Sequence, residues 1–329
     1  MESIAITDMP GIKIGHAENL KAATGCTVII CEKGAVGGVD VRGGSPGTRD
    51  TDALNPVNNR KEIHAVFLSG GSSFGLDAAG GVMKFLEDHN IGRDVGVTCI
   101  PNVCGAILFD LKCGSSVIRP DAEMGYNACV NAFSKIPAEG SVGAGTGAII
   151  GTSNGTQYAM KGGIGSIVYK NGDLIVGAVV AVNCVGDIVD SNSGRIIAGA
   201  LNKDKKTFAC SEDIILSSYL DMSDIFSGNT IIGCVFSNAD FNKDQATKLA
   251  SVCHDGIARA VRPAHSMYDG DTIFTMCTGA VKANFDAAAI LAAKSVEEAI
   301  RRAVMNADSL GGYISFKDLN KNTSLQNCR

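Results

Sequence analysis

The sequence predicts a mixed α/β fold with two or more packed layers. Short runs rich in β-branched residues recur along the chain, each bounded by Gly, Asn, Asp or Pro, which is typical of strands. Segments with helical apolar spacing lie between these runs. With 45% hydrophobic residues among 329, the chain can bury a substantial core, and no internal repeat is visible.

Five runs are predicted to be strands, and several are apolar enough to be buried on both faces. They are CTVII (26–30), HAVFLS (64–69), VGVTCI (95–100), LIVGAVVAV (174–182) and TIIGCVFS (230–237).

Four segments are predicted to be helices, beginning at Phe74, Glu123, Lys243 and Asp286. In the third, apolar residues at spacings of three and four mark one buried face: Ala246, Leu249, Ala250, Cys253, Ile257 and Val261. The polar segment 202–229 interrupts the pattern, and it is either a functional connection or a surface excursion with one short helix.

Composition excludes several classes of function. The net charge of −5, without a Lys/Arg block, gives no basic surface for nucleic acid or an anionic membrane. The N-terminal residues do not resemble a secretion signal, and the longest apolar stretch is too short to span a bilayer, so we expect a cytoplasmic protein. The twelve cysteines form no C-x-x-C pair and the five histidines lack metal-ligand spacing, so no metal and no cofactor is implied.

Three local motifs do not match the site that each first suggests. GSVGAGTGAIIG (140–151) lacks a complete dinucleotide or P-loop pattern. DFNKD (240–244) begins like a calcium loop, but Gln245 stands where glycine is required, so the first turn of a helix is predicted. SGGSSFG (69–75) lacks nucleophile-elbow spacing and is interpreted as a strand-to-helix turn.

Two further segments permit either a structural or a catalytic interpretation. In SGNTIIG (227–233), Thr230 is either the first residue of a buried strand or a nucleophile exposed by cleavage of the bond before it. In RPAHSMYDGDTIF (262–274), Asp269 and Asp271 are either a solvated turn or two carboxylates projecting to one side of an extended segment.

Long blocks in order along nearly the whole chain decide between these interpretations. They are GGVDVRGGSPGTRDTDALNP (37–56), LSGGSSFGLDAAGGVMKFLE (68–87), MKGGIGS (160–166), GAVVAVNCVGDIVD (177–190), NTIIGCVFSNA (229–239) and HDGIARAVRPAHSMYDGDTIF (254–274). These blocks resemble the family of L-aminopeptidase/D-esterases, β-aminopeptidases and nylon-oligomer hydrolases. The set of Thr230, Asp269 and Asp271 is similar to the set found in the threonine-type nylon-oligomer hydrolase branch.

The resemblance implies one self-cleaving hydrolase domain over 1–329. Cleavage between Asn229 and Thr230 would give a larger subunit, 1–229, and a smaller subunit, 230–329, that begins with the nucleophile. The new α-amine, with a reference pKa of ~7.7–8.0, can then accept the proton of the Thr230 hydroxyl.

By the same resemblance, Asn183 supplies an oxyanion donor, while Asp269 and Asp271 hold the hydroxyl and ammonium of Thr230. Lys161 tunes the amine or orients Asn183, and Tyr126 is a further catalytic candidate.

The implied fold is a four-layer αββα sandwich, assembled as a tetramer of processed units. The implied reaction is hydrolysis of amino-terminal amino-acyl amides, peptides or esters through an acyl-enzyme, with β-, D- and ω-amino acyl groups, including 6-aminohexanoate oligomers, in range. Two alternatives stay open: an acyltransferase of the ornithine acetyltransferase type, and a binding protein that retains only the fold.

Overall fold

A computed structural model describes residues 1–220 and 228–326 of the chain. The strands are β1 (Glu2–Ile4), β2 (Lys13–Asn19), β3 (Thr24–Val41), β4 (Thr48–Arg49), β5 (Glu62–Ser69), β6 (Arg93–Asp94), β7 (Cys99–Ile100), β8 (Val103–Ile107), β9 (Ile149–Ile150), β10 (Met160–Lys161), β11 (Gly163–Asn171), β12 (Leu174–Asn183), β13 (Asp187–Val189), β14 (Ile196–Ala198), β15 (Thr230–Ala239), β16 (Val261–Arg262) and β17 (Thr272–Val281). The helices are α1 (Ala78–Asp88), α2 (Ala122–Ser134), α3 (Ser211–Ser217), α4 (Lys243–Ala260), α5 (Phe285–Asn306) and α6 (Phe316–Gln326).

Two β-layers form the centre of the molecule. In the first, strands follow the order β1-β11-β12-β15-β17 and end on the C-terminal part of β3. In the second, the N-terminal part of β3 pairs with β2 and with β5, and β8 and β4 follow. The long strand β3 therefore belongs to both layers and joins them.

Three apolar clusters separate four layers. One lies between the first β-layer and helices α4 and α5, one between the two β-layers, and one between the second β-layer and helices α1 and α2. Alternate residues of β12 enter different clusters: Val180 faces the helices, whereas Val179 and Ala181 face the other β-layer. The predicted αββα sandwich is confirmed.

Most predicted elements are present, with one error. The run 95–100 is not a strand: only Cys99–Ile100 pairs, in a short hairpin with Arg93–Asp94, and Val97 is 92% exposed. Gly96 has a φ of 83°, so the chain turns there. The buried strand of this region is β8, a few residues later.

The two reinterpreted motifs occupy the predicted places. Residues 240–244 lead into α4, where Asn242 and Gln245 form a capping box. SGGSSFG follows β5 and continues as a 3-10 turn into α1. Of the polar segment 202–229, residues 211–217 form α3, and residues 221–227 lie outside the described part.

No helix among the described residues is long and apolar enough to cross a membrane. The eleven cysteines in the described part of the chain are free thiols, and most are buried.

Candidate active site

Thr230 is the first residue of β15, in the middle of the first β-layer. Antiparallel pairing places it opposite Asn183, the last residue of β12. The parallel neighbour β17 begins at Thr272, so the Asp269–Asp271 segment arrives at the same edge. Sheet pairing thus brings together Thr230, Asn183 and the two aspartates, which are far apart in sequence.

The peptide bond between Asn229 and Thr230 is buried, and hydrogen bonds hold its carbonyl group. The Thr230 hydroxyl donates to the carbonyl oxygen of Asn229. The backbone N–H of Gly270 donates to that same carbonyl at 3.1 Å and to Thr230 Oγ1 at 3.2 Å. Nucleophile, carbonyl and one N–H donor are therefore in contact in the intact chain.

Asp271 connects the peptide group that follows Thr230 to a histidine. Its Oδ1 accepts from the N–H of Ile231 at 2.7 Å, and its Oδ2 accepts from His265 Nδ1 at 2.8 Å and from the His265 N–H at 3.2 Å. His265 holds its backbone at a φ of 58°, which places ring and amide on one carboxylate. Sequence reasoning missed His265, although it lies inside a matched block, because a lone histidine carries no spacing signal.

Asp269 is a buried carboxyl with an open oxygen. Its Oδ2 accepts from the Ser266 N–H at 2.9 Å and from Ser266 Oγ at 2.6 Å, whereas Oδ1 has no hydrogen-bond partner among the described residues. Burial, with the nearby charge of Asp271, raises the pKa of Asp269 to about 6, against the lowering effect of the Ser266 bonds and of the Val185 backbone N–H, which faces the same carboxyl. This carboxyl can take up a proton near neutral pH.

In the intact chain, neither carboxylate accepts from the Thr230 hydroxyl, whose bonds go to Asn229 and Gly270. Hydrogen bonds from these aspartates to an ammonium at Thr230 could form only in a cleaved chain, so they stay a prediction.

The backbone of segment 42–45 holds both aspartates in place. The backbone N–H of Arg42 donates to the backbone oxygen of Asp271 at 2.9 Å, and the backbone N–H of Ser45 donates to that of Asp269 at 2.8 Å. A Cβ on Gly43 would lie 2.2 Å from the Asp269 oxygen, so glycine is required there.

Asn183 and Lys161 hold opposite sides of one peptide group. Asn183 Oδ1 accepts from the Ile149 N–H at 2.9 Å, and Lys161 Nζ donates to the Ala148 oxygen at 2.8 Å. Lys161 therefore orients Asn183 through the 148–149 peptide rather than by direct contact. The amide nitrogen of Asn183 donates to the Gly228 oxygen at 3.2 Å, so it reaches the segment next to the Asn229–Thr230 bond.

Lys161 is fully buried, and its Nζ also donates to the oxygens of Gly145 at 2.9 Å and Gly162 at 3.1 Å. Burial lowers its pKa to about 8, with Cys113, Asp110 and Asp308 opposing that shift. Three carbonyl oxygens hold this ammonium group in one position next to the site, where it carries a positive charge below about pH 8.

Asp110, a second residue that sequence reasoning missed, fixes the SGGSSFG turn. It accepts from Thr24 Oγ1 at 2.6 Å and from the Gly71 N–H at 2.7 Å. Burial raises its pKa to about 6, against the lowering effect of these bonds. A Cβ added to Gly228 would lie 2.5 Å from the ring of Phe109, the residue before Asp110, so the segment that carries Asp110 borders the cleavage segment.

The structure does not bring Tyr126 to the other candidates. Tyr126 lies on α2, and its ring meets the edge of Phe85 at a centroid distance of 5.3 Å, within the cluster between helices and second β-layer. The resemblance suggested Tyr126 as a candidate, but this position packs away from Thr230, Asn183 and the two aspartates.

Within the ranges that the structure describes, no three His, Cys, Asp or Glu side chains form a group that could hold a metal ion. The groups available at this edge are a hydroxyl, two carboxyls, an imidazole, an amide, an ammonium and backbone N–H groups. This set suits acyl transfer to a hydroxyl.

Comparisons with known proteins agree with this arrangement. Residues 5–316 match the sequence pattern of peptidase family S58. The chain is 41% identical over 296 residues to a protein of Mycobacterium leprae named an uncharacterized aminopeptidase, covering 85% of this chain and 80% of that protein. It is 30% identical over 280 residues to the 6-aminohexanoate-oligomer endohydrolase of Paenarthrobacter ureafaciens, covering 82% and 74%.

Two solved structures share the fold. A Burkholderia β-aminopeptidase aligns with a TM-score of 0.70 at 21% identity, covering 98% of this chain and 93% of that chain. The L-aminopeptidase D-Ala-esterase/amidase of Ochrobactrum anthropi, described as a variant of the Ntn hydrolase fold, aligns with a TM-score of 0.71 at 18% identity and the same coverage.

Proposed function

The chain belongs to peptidase family S58 and is a hydrolase that acts on amide bonds, and we propose that it is an autoprocessed aminopeptidase with Thr230 as nucleophile. One observation carries the proposal. The Thr230 hydroxyl touches the carbonyl of the residue before it, and the Gly270 N–H donates to both oxygens. This geometry supports attack of the hydroxyl on its own preceding carbonyl.

In self-cleavage, the bond from Thr230 Oγ1 to the Asn229 carbonyl carbon forms and the peptide C–N bond breaks. The hydroxyl proton ends on the released amine, and water then hydrolyses the ester. Because the nitrogen of Thr230 is acylated before cleavage, it cannot be the base for this step. We assign that role to Asp269, which pairs with Asn229 in an isolated parallel bridge and whose pKa burial raises to about 6.

After cleavage, the free α-amine of Thr230 becomes the base for turnover, with a reference pKa of ~7.7–8.0. The departure of Gly228 would free the amide nitrogen of Asn183, which bonds its oxygen in the intact chain, to stabilise the oxyanion of a substrate. Asp271, held by His265 and bound to the Ile231 N–H, would fix the new terminus.

The sheet would keep the subunits 1–229 and 230–329 together as one domain. β15, from the smaller subunit, pairs with β12 of the larger, and β17 pairs with β3. Both interfaces lie between apolar clusters, so cleavage would break one bond without exposing the core.

The proposed substrates are amides, peptides or esters with a free amino-terminal acyl group, including β-, D- and ω-amino acyl groups. The relative named as a 6-aminohexanoate-oligomer endohydrolase supports the ω-amino class. The test is incubation of processed protein with amino-acyl p-nitroanilides and 6-aminohexanoate oligomers. Release of p-nitroaniline or of shorter oligomers is expected, and release that requires an added amine acceptor such as ornithine would instead indicate a transferase.

We further propose a tetramer of processed units in the cytoplasm. The tetramer is what the resemblance to the aminopeptidase family implies. The free thiols of the described cysteines support a reducing compartment.

The rate of self-cleavage is expected to depend on pH with a midpoint near 6. The base form of Asp269 is needed, and burial raises its pKa to about 6, so the rate falls as pH decreases through that value. About a tenfold loss per pH unit is expected below pH 5. The measurement is the fraction of cleaved chain over time in refolded protein between pH 4 and 8; a rate independent of pH over this range would contradict the role of Asp269.

A further inference from the structure

The side chain of Asn229 indicates which acyl groups the processed enzyme accepts. This inference rests on the proposed function: self-cleavage esterifies Thr230 Oγ1 with the Asn229 carbonyl carbon, and turnover esterifies the same oxygen with the acyl carbon of a substrate. Since both esters share one oxygen on a rigid strand, the first side chain of a substrate enters the space that the Asn229 side chain occupies in the intact chain.

This space is closed and polar. Asn229 is 1% exposed, and its Nδ2 donates to Thr152 Oγ1 at 2.8 Å. Its other polar atom, Oδ1, has no hydrogen-bond partner among the described residues. In this arrangement the Thr152 hydroxyl accepts from a donor group, whereas the acceptor atom of the same side chain is left unpaired.

Thr152 is rigidly placed. The Gly151 N–H donates to the Cys184 oxygen at 3.1 Å, which ties this turn to the residue after Asn183. A Cβ on Gly151, which has a φ of 69°, would lie 2.0 Å from the Ala200 nitrogen, so the turn is packed closely. The hydroxyl of the next residue, Ser153, donates to Ser211 Oγ at 2.8 Å instead of bonding Asn229.

Asp269 adds a second acceptor beside the same residue. It pairs with Asn229 in an isolated parallel bridge, and its Oδ1 is buried without a partner among the described residues. Because the two backbones are paired, the negative charge of Asp269 lies near the Asn229 position and disfavours a second carboxylate there. A hydrogen-bond donor, neutral or positively charged, therefore fits the pocket around the Asn229 side chain better than a carboxylate does.

We propose that Thr152 forms the acyl-side subsite and selects short acyl groups that end in a hydrogen-bond donor. Asparaginyl and 2,4-diaminobutyryl groups both place a nitrogen four bonds from the acyl carbon. Leucyl has the shape of asparaginyl but no donor, and aspartyl has only acceptors. The expected order of kcat/KM is therefore asparaginyl and diaminobutyryl above leucyl, and leucyl above aspartyl.

The experiment measures kcat/KM of processed protein on the four p-nitroanilides. Asparaginyl is expected to exceed leucyl by about tenfold, as one neutral hydrogen bond gives. In Thr152→Val, which removes only the hydroxyl, this ratio should fall to about one, and Thr152→Ser should restore it. Ser153→Ala is the matched control and should keep the ratio, because its hydroxyl does not touch Asn229.

Two results would overturn the subsite: an asparaginyl-to-leucyl ratio near one in the wild type, or a ratio that Thr152→Val leaves unchanged. If the cleaved protein hydrolyses none of the anilides, the proposed function fails, and calorimetry of the same cleaved protein with free 2,4-diaminobutyrate and leucine decides the subsite separately. Binding of diaminobutyrate that Thr152→Val abolishes would support it. Equal binding of both amino acids, or of neither, would contradict it.

Discussion

Thr230→Ala is expected to remain a single chain and to lose at least about 10⁴-fold in amide hydrolysis, as removal of a nucleophile does. The reason is that Thr230 supplies both the hydroxyl that forms the ester and, after cleavage, the amine that accepts the proton. The measurements are denaturing electrophoresis and release of p-nitroaniline.

Two matched variants separate chemistry from folding. Thr230→Ser keeps an oxygen at the same place, so cleavage and activity should persist. Thr275→Ala removes another buried threonine, on the neighbouring strand β17, whose hydroxyl donates to the Ala246 oxygen of α4 at 2.9 Å, and this variant should be cleaved and active. Hydrolysis by Thr230→Ala above one hundredth of the wild-type rate would contradict the assignment.

Asn183→Ala is expected to lower kcat of the processed enzyme by about 10²–10³-fold, the effect of one lost oxyanion donor. Self-cleavage should be affected less, because in the intact chain the carbonyl of Asn229 accepts from Gly270 and the Asn183 amide bonds Gly228. The measurement compares the rate of chain cleavage with the kcat of the resulting pieces.

Asn238 provides the control for this variant. Like Asn183, it is a buried asparagine whose Oδ1 accepts a strand N–H, from Ile175 at 2.8 Å, and whose Nδ2 donates to a carbonyl, of Asp173 at 2.8 Å. It lies at the opposite end of the same pair of strands. Asn238→Ala should cost similar stability and leave kcat unchanged; an equal loss of kcat in both variants would assign Asn183 a structural role only.

Local patterns predicted most of the fold because each element carries its own signal. The run that begins at Thr230 is a buried strand. The helices predicted from Lys243 and Asp286 are present, and each buries the apolar face that its sequence spacing indicates. The error at 95–100 has a local cause as well: β-branched residues favour a strand, but Gly96 turns the chain, and Val97 has no core to enter.

The site was less accessible to sequence reasoning because its decisive contacts are between distant residues or involve the backbone. The pairing of Asn183 with Thr230 depends on strand register, and the N–H of Gly270 has no sequence signature. Thr152 and Asp110 likewise act through contacts that only the folded chain creates. Tyr126, which the resemblance suggested, packs elsewhere.

The central claim is self-cleavage before Thr230, and the intact mass of the purified wild-type protein tests it most directly. The account predicts two pieces that copurify, residues 1–229 and a second piece of 100 residues (329 − 229) whose amino-terminal residue is Thr230. A chain that stays at full length after prolonged incubation while hydrolysing amino-acyl substrates would contradict the account.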